Sequence, residues 1–301
     1  MPLPPFVTLP KTGPDGRPVL GPDGRPVMGV GIYPPKNHVR GYWLTSDPVT
    51  VVLAPGASAE LRYLVDQQGH FDWAYIVGKS DQPFTLDFFD GGAQRRLQNK
   101  PIHSVTIVGS GERPFRLPEP YFVDVGDSQR EIIATVRNVL PGAVTNTIRL
   151  VLYGRRFYHR EAPPDVSAEF TKRFAGGWRT YSYFLVPNET KGDGNVVPVA
   201  AGGTDTFTFE SESGVDTDLH KLMVSSTGAF TFQLRERATN RTLSNGVIRS
   251  ENGWGNAEFP FYLADSYLLE RKLQLLFDVT DISGAPNSIY ATMAGRRLQY
   301  R

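Results

Sequence analysis

Cysteine is absent from the 301 residues. That absence removes disulfides, thiolate nucleophiles and cysteine-based zinc sites together, so stability must come from packing or association. An excess of either charge is also absent: 32 Lys and Arg face 31 Asp and Glu, for a net charge of +1. No broad field therefore exists to hold nucleic acid or an anionic membrane non-specifically. No window approaches the apolar length that spans a bilayer, and Met1-Pro-Leu-Pro-Pro-Phe6 has neither a basic nor an apolar leader region. These absences lead us to expect a soluble protein made in a cytosol.

Reaction chemistry is thinly represented. The five histidines are scattered, and His70-Phe71-Asp72 offers only two ligands where a closed metal site needs three or four. Val108-Gly-Ser-Gly111 lacks the spacing of a nucleophile elbow and reads as a turn. No Gly-rich loop carries the Lys and Ser/Thr of a phosphate cradle. Acidic pairs from distant positions cannot be placed together from sequence. We therefore expect no cofactor, no metal and no catalytic residue, and a chain that is not an enzyme. Trp43, Trp178 and Trp254 lie in Gly-rich contexts where they either cover sandwich seams or form exposed platforms for a glycan. Trp73, within Phe71–Val77, belongs to a core strand.

What the chain does contain is itself, twice. Shifted by 146 residues, Val51, Ala54, Gly56, Ser80, Phe84, Thr85, Arg95, Leu97, Asn99 and Ile102 meet identical residues from Val197 to Ile248. Apolar positions also meet at Leu61/Phe207, Tyr63/Phe209, Ile76/Leu222 and Ile148/Ile289. The shift then falls to 141, where Gly154-Arg155-Arg156 meets Gly295-Arg296-Arg297. We assign the difference to a longer first-copy loop near residues 103–119, and match Ile132, Ala134 and Val136 with Leu273, Leu275 and Phe277. Order-preserving matches of this kind indicate a tandem duplication.

The repeated unit is β. Phe84–Phe88 and Phe230–Leu234 alternate at period two, with turn residues at short intervals. Ser266–Phe277 has a helical pattern, but its counterpart alternates, and two copies of one fold should share a conformation. The expected fold is all-β: two tandem duplicated β-sandwich, jelly-roll-like domains preceded by an extended Pro/Gly-rich N-terminal arm. We divide it as an arm (1–48), a first sandwich (49–160), a connector with a short helix over Asp165–Arg173 (161–194) and a second sandwich (195–301).

Within the first copy, Gly111-Glu-Arg-Pro-Phe-Arg-Leu-Pro-Glu-Pro-Tyr121, Thr135-Val-Arg-Asn138, Asn146-Thr-Ile148 and Tyr153-Gly-Arg-Arg-Phe157 resemble β-sandwich virion proteins of tailed bacteriophages. The second copy keeps part of that pattern in Phe259-Pro-Phe-Tyr262. The resemblance implies a structural protein that decorates, cements or connects capsid or head–tail components. It would be made in the host cytoplasm and reside in the virion. Its partners would be other virion proteins and further copies of itself, with no specific nucleic acid and no membrane. Two other readings are a double jelly-roll major capsid protein and a glycan-binding adhesin module.

The arm contains an eight-residue unit written twice, Gly13–Leu20 and Gly21–Met28. Pro-Asp-Gly is turn chemistry, and the Arg-Pro-Val that follows is biased to extended geometry. Arg17 and Arg25 hold the same place in each unit and are candidate partner contacts through bidentate binding of carboxylates. Arg155, Arg156, Arg296 and Arg297 are the other candidates, since adjacent strand positions point to opposite faces and leave one arginine of each pair outward.

Overall fold

The computed structural model describes residues 8–10, 28–30, 39–65, 69–123, 131–139, 144–158, 178–190, 195–212, 215–271 and 273–300. Strands β1 (Thr8–Pro10) and β2 (Met28–Val30) pair with each other. The doubled unit lies outside the described residues up to its last residue, Met28, and the Asp165–Arg173 helix lies wholly outside them.

The first sandwich contains β3 (Val39–Thr45), β4 (Val51–Leu53), β5 (Ser58–Leu64), β6 (Gly69–Ser80), β7 (Thr85–Asp90), β8 (Arg95–Arg96), β9 (Ile102–His103), the one-turn helix α1 (Ser104–Ile107), β10 (Phe115–Val123), β11 (Glu131–Arg137) and β12 (Asn146–Tyr158). The second contains β13 (Trp178–Leu185), β14 (Val197–Val199), β15 (Thr204–Glu210), β16 (Asp216–Ser226), β17 (Phe230–Glu236), β18 (Ile248–Arg249), α2 (Ser250–Gly253), β19 (Phe261–Leu269), β20 (Gln274–Asp281) and β21 (Asn287–Tyr300). Two strands thus fall where the sequence suggested linking segments: β3 in the arm and β13 in the connector.

One sheet of the first sandwich has the order β3-β12-β6-β10, with β4 also on β12; the other has β5-β11-β7, with β8 and β9 on β7. The second sandwich repeats this as β13-β21-β16-β19, with β14 on β21, and β15-β20-β17-β18. Neighbours in each sheet are antiparallel and mostly non-consecutive, which is the Greek-key winding of a jelly roll. The chain is therefore two jelly rolls of the same strand order. Ser266–Phe277 belongs to β19, a short turn and β20, as the repeat required.

Period-two burial explains the strands. Ile132, Ala134 and Val136 face the core of the first jelly roll, while Phe84 and Phe230 are buried at equivalent places. Trp73 meets Phe88 edge-on at 4.9 Å across the two sheets, and Tyr63 Oη donates to the Leu150 carbonyl at 2.9 Å. In the second core Phe230, Phe232 and Trp254 surround Phe277. The turns into β5 and β15 place Gly56 and Gly202 at φ of 72° and 62°, a region open to glycine.

The structure corrects the alignment of the copies. Leu61 is opposite Ala134 while Phe207 is opposite Phe277, so Ile132, Ala134 and Val136 answer to Leu275, Phe277 and Val279. The shift of 146 persists through β10 and β19, where Phe115 is opposite Ile76 and Phe261 opposite Leu222. The extra residues of the first copy lie on either side of β11, outside 103–119. A slip of two residues leaves every side chain on its own face, so alternation could not detect it.

Candidate interaction surfaces

The paired arginine motifs flank a bulge that both jelly rolls share. At Gly154 and Gly295 the register of the last strand shifts, and a Cβ there would lie 2.0 Å from the Asp72 carbonyl oxygen or 2.2 Å from that of Asp218. The extra residue is Ala74 of β6 or His220 of β16, on the facing strand, and it re-aims the side chains around it. Arg155 Nη2 donates to Asp72 at 2.6 Å, and Arg296 donates to Asp218 with both Nε and Nη2. The second arginine turns the other way. Arg156 is buried with its guanidinium 4.8 Å from the Tyr42 ring, whereas Arg297 lies 4.9 Å from Tyr183 and donates to Glu212 at 2.5 Å. The outward arginine of each pair therefore holds the aspartate of the facing strand, and in the second jelly roll the inner arginine holds a carboxylate as well. Burial works to raise the Asp218 carboxyl, but hydrogen bonds from Ser266 and Arg296, with the charges of His220 and Arg296, hold it below its ordinary value. Arg17 and Arg25 lie outside the described residues.

The tryptophans separate. Trp254 is in the second core, whereas Trp43 is 54% exposed and lies 4.3 Å from Tyr153, which is 5.8 Å from Tyr75. The side chain of Trp178 lies outside the described residues. His70 packs on Phe122 at 5.0 Å and Asp72 is engaged by Arg155. Among the described residues no group of three or more His, Cys, Asp or Glu is gathered to hold a metal, and no helix is long and apolar enough to cross a membrane.

Sequence reasoning missed the seam between the jelly rolls. The β10 edge, α1 and the segment from β8 to β9 of the first lie against the outer face of the sheet formed by β13, β21 and β16. Phe115 meets Phe184 at 6.1 Å, Tyr121 meets Tyr181 edge-on at 5.9 Å, and His103 stacks on Tyr290 at 3.8 Å. Several polar groups are matched across it, although His103 Nδ1 is buried without a hydrogen-bond partner among the described residues. Phe184 N–H donates to the Leu97 carbonyl at 2.9 Å, and the Asn99 amide exchanges two 2.8 Å hydrogen bonds with the backbone of Val186. The Thr106 and Thr292 hydroxyls meet at 2.9 Å. Burial pushes the His103 imidazole down to about 4. Lys221 is buried, donates to the Arg116 carbonyl, and sits 4.8 Å and 5.0 Å from the Phe115 and Tyr262 rings; burial and the Arg116 charge lower its ammonium to about 8. The shared identities Leu97/Leu243 and Asn99/Asn245 were the sequence signal for this face.

No family model and no curated protein matches the sequence. Among solved structures the chain is similar to PNGase F, a glycosylasparaginase from Flavobacterium meningosepticum, at 9% identity and a TM-score of 0.36, over 83% of this chain and 96% of that one. It is also similar to a structure from Sulfolobus turreted icosahedral virus (10% identity, TM-score 0.23, 83% and 60% coverage). A third is the VP2 subviral particle of infectious bursal disease virus (9%, 0.24, 87% and 72%). The expectation that the chain is not an enzyme is corrected by the first of these. An enzyme appears among the neighbours of this fold, so the missing motifs gave no ground for excluding catalysis.

Proposed function

We propose that the chain is a structural protein of a virion, a bacteriophage component that decorates, cements or connects capsid or head–tail parts through protein–protein contacts. The observation that carries this reading is the seam. Aromatic packing and matched backbone hydrogen bonds lock two jelly rolls into one broad unit, which suits a load-bearing tile. Each jelly roll and its linking segments act as the domains expected from the repeat, with the arm reaching to a neighbour. Arg17 and Arg25 are arm contacts, Arg155 and Arg296 rim contacts on the outer sheet faces, and Arg156 and Arg297 support them from within.

Quantitative mass spectrometry of purified particles from the source of this sequence tests the reading. The chain is expected in fixed stoichiometry with the main shell protein. A chain that dominates the particle is itself the shell protein, the double jelly-roll alternative. A chain abundant in infected cells and missing from particles defeats the virion reading altogether.

A further inference from the structure

The two jelly rolls share a topology but not an environment. The face of the first that enters the seam has an equivalent on the second, and that equivalent is bare. Leu97 and Phe115 are fully buried in the first, whereas Leu243 and Phe261, at the matching positions, are 41% and 39% exposed. Val247, which matches Pro101, is 71% exposed. Asn245, which matches the asparagine clamping Val186, is also exposed.

The receiving face shows the same imbalance at the other end of the molecule. In the second jelly roll, outward positions of β13, β16 and β21 are covered by the seam. Register around the shared bulge identifies their counterparts: Tyr183 lies opposite Gly295 and Tyr42 opposite Gly154, so Phe184 answers to Trp43. By the same matching Ala294 answers to Tyr153, Thr292 to Val151, Lys221 to Tyr75 and Met223 to Val77. Phe184, Ala294, Thr292, Lys221 and Met223 are buried. Trp43 is exposed, and Tyr75, Val77, Val151 and Tyr153 are half-buried on an outward face that alternation would otherwise make polar.

We propose that copies of this chain associate head to tail, the β19 edge of one docking on the outer β3-β12-β6 face of the next as β10 docks on β13 and β21 within the chain. Phe261 takes the place of Phe115 and Trp43 that of Phe184. The bare donor face and bare receiving face are the two halves of one seam, which each copy fills once internally and leaves open at both ends. Such a heterologous contact closes into a ring or continues as a filament according to the rotation it imposes. The inference stands on the repeat and needs no virion.

The cysteine-free sequence makes the test clean. Single variants Trp43→Cys and Phe261→Cys of the full chain are treated with a short bismaleimide cross-linker, separately and mixed. Each alone stays uncross-linked, the mixture gives dimers, and the double variant gives a ladder. Sedimentation of the unmodified chain shows multiples of 33.4 kDa, and Phe261→Asp or Trp43→Asp returns it to monomer with its melting transition retained. Tyr75→Asp, on the same face, gives the same monomer should either variant fold poorly. A chain that is monomeric at every attainable concentration overturns the proposal. So does a single-cysteine variant that cross-links to itself, which would mark a two-fold contact. Particle composition does not enter this test, so it can fail while the virion reading survives, and the reverse.

Discussion

Asp281 shows how one carboxylate secures a turn. It accepts hydrogen bonds from the Gly202 and Ser283 N–H groups and from the Ser283 hydroxyl, and these hold its carboxyl down to about 2. A depressed folded value means stability that is present above the unfolded pKa of about 3.9 and is lost as pH falls through about 2. Asp281→Ala should therefore melt below the parent at pH 5, and the gap should narrow as pH falls toward 2 and close below it. Asn138 stands at the equivalent position of the first jelly roll, but there the Gly56 N–H donates to its backbone carbonyl and its side-chain amide donates to the Leu53 and Val144 carbonyls, so the carboxylate role is particular to the second copy. Phe84→Ala and Phe230→Ala each remove a buried ring and should cost about 3–5 kcal/mol in denaturant unfolding. Unchanged stability in either would contradict the core assignment.

The bulge in β6 and β16, facing the last strand of each jelly roll, is the element that aims the arginine pairs. Gly154 and Gly295 pass so close to the neighbouring strand that a Cβ would overlap the carbonyl of Asp72 or Asp218. Gly154→Ala and Gly295→Ala should each destabilise by about 2–4 kcal/mol, since the obstacle is backbone of a central strand. Arg155→Ala should also destabilise, by about 1–3 kcal/mol, because it withdraws a donor from the fully buried Asp72. The motif was legible in sequence as a repeated triplet. Its geometry was not, because a bulge depends on which residue of the adjacent strand it must clear.

Across the whole molecule the seam couples stability to pH through Lys221. Its ammonium is lowered to about 8 in the folded chain, against about 10.4 unfolded. Between those values the unfolded state binds more protons, so the contribution of Lys221 to stability increases as pH rises from 8 to 10. Lys221→Met should remove that slope. Thermal melts of parent and variant are expected to diverge in the variant's favour at pH 7, by up to about 3 kcal/mol before the lost Arg116 hydrogen bond is counted, and to converge toward pH 10.5. Parallel curves would mean that the lysine is solvated and the seam is open.

What repeats locally was legible in the chain before folding: the alternation of Phe84–Phe88, the matched pair Gly56 and Gly202, and the duplication. From these came an all-β chain of two like jelly rolls, even where Ser266–Phe277 imitates a helix. Tertiary structure alone decided the register of β20, the position of β3 and β13 in the sheets, and the burial of the seam. Burial of one face against another is a property of neighbours. Leu97 and Leu243 are the same residue in the same motif, yet only the first has a jelly roll beside it within the chain. Periodicity records which way a side chain points, and only the packed molecule settles what stands in front of it.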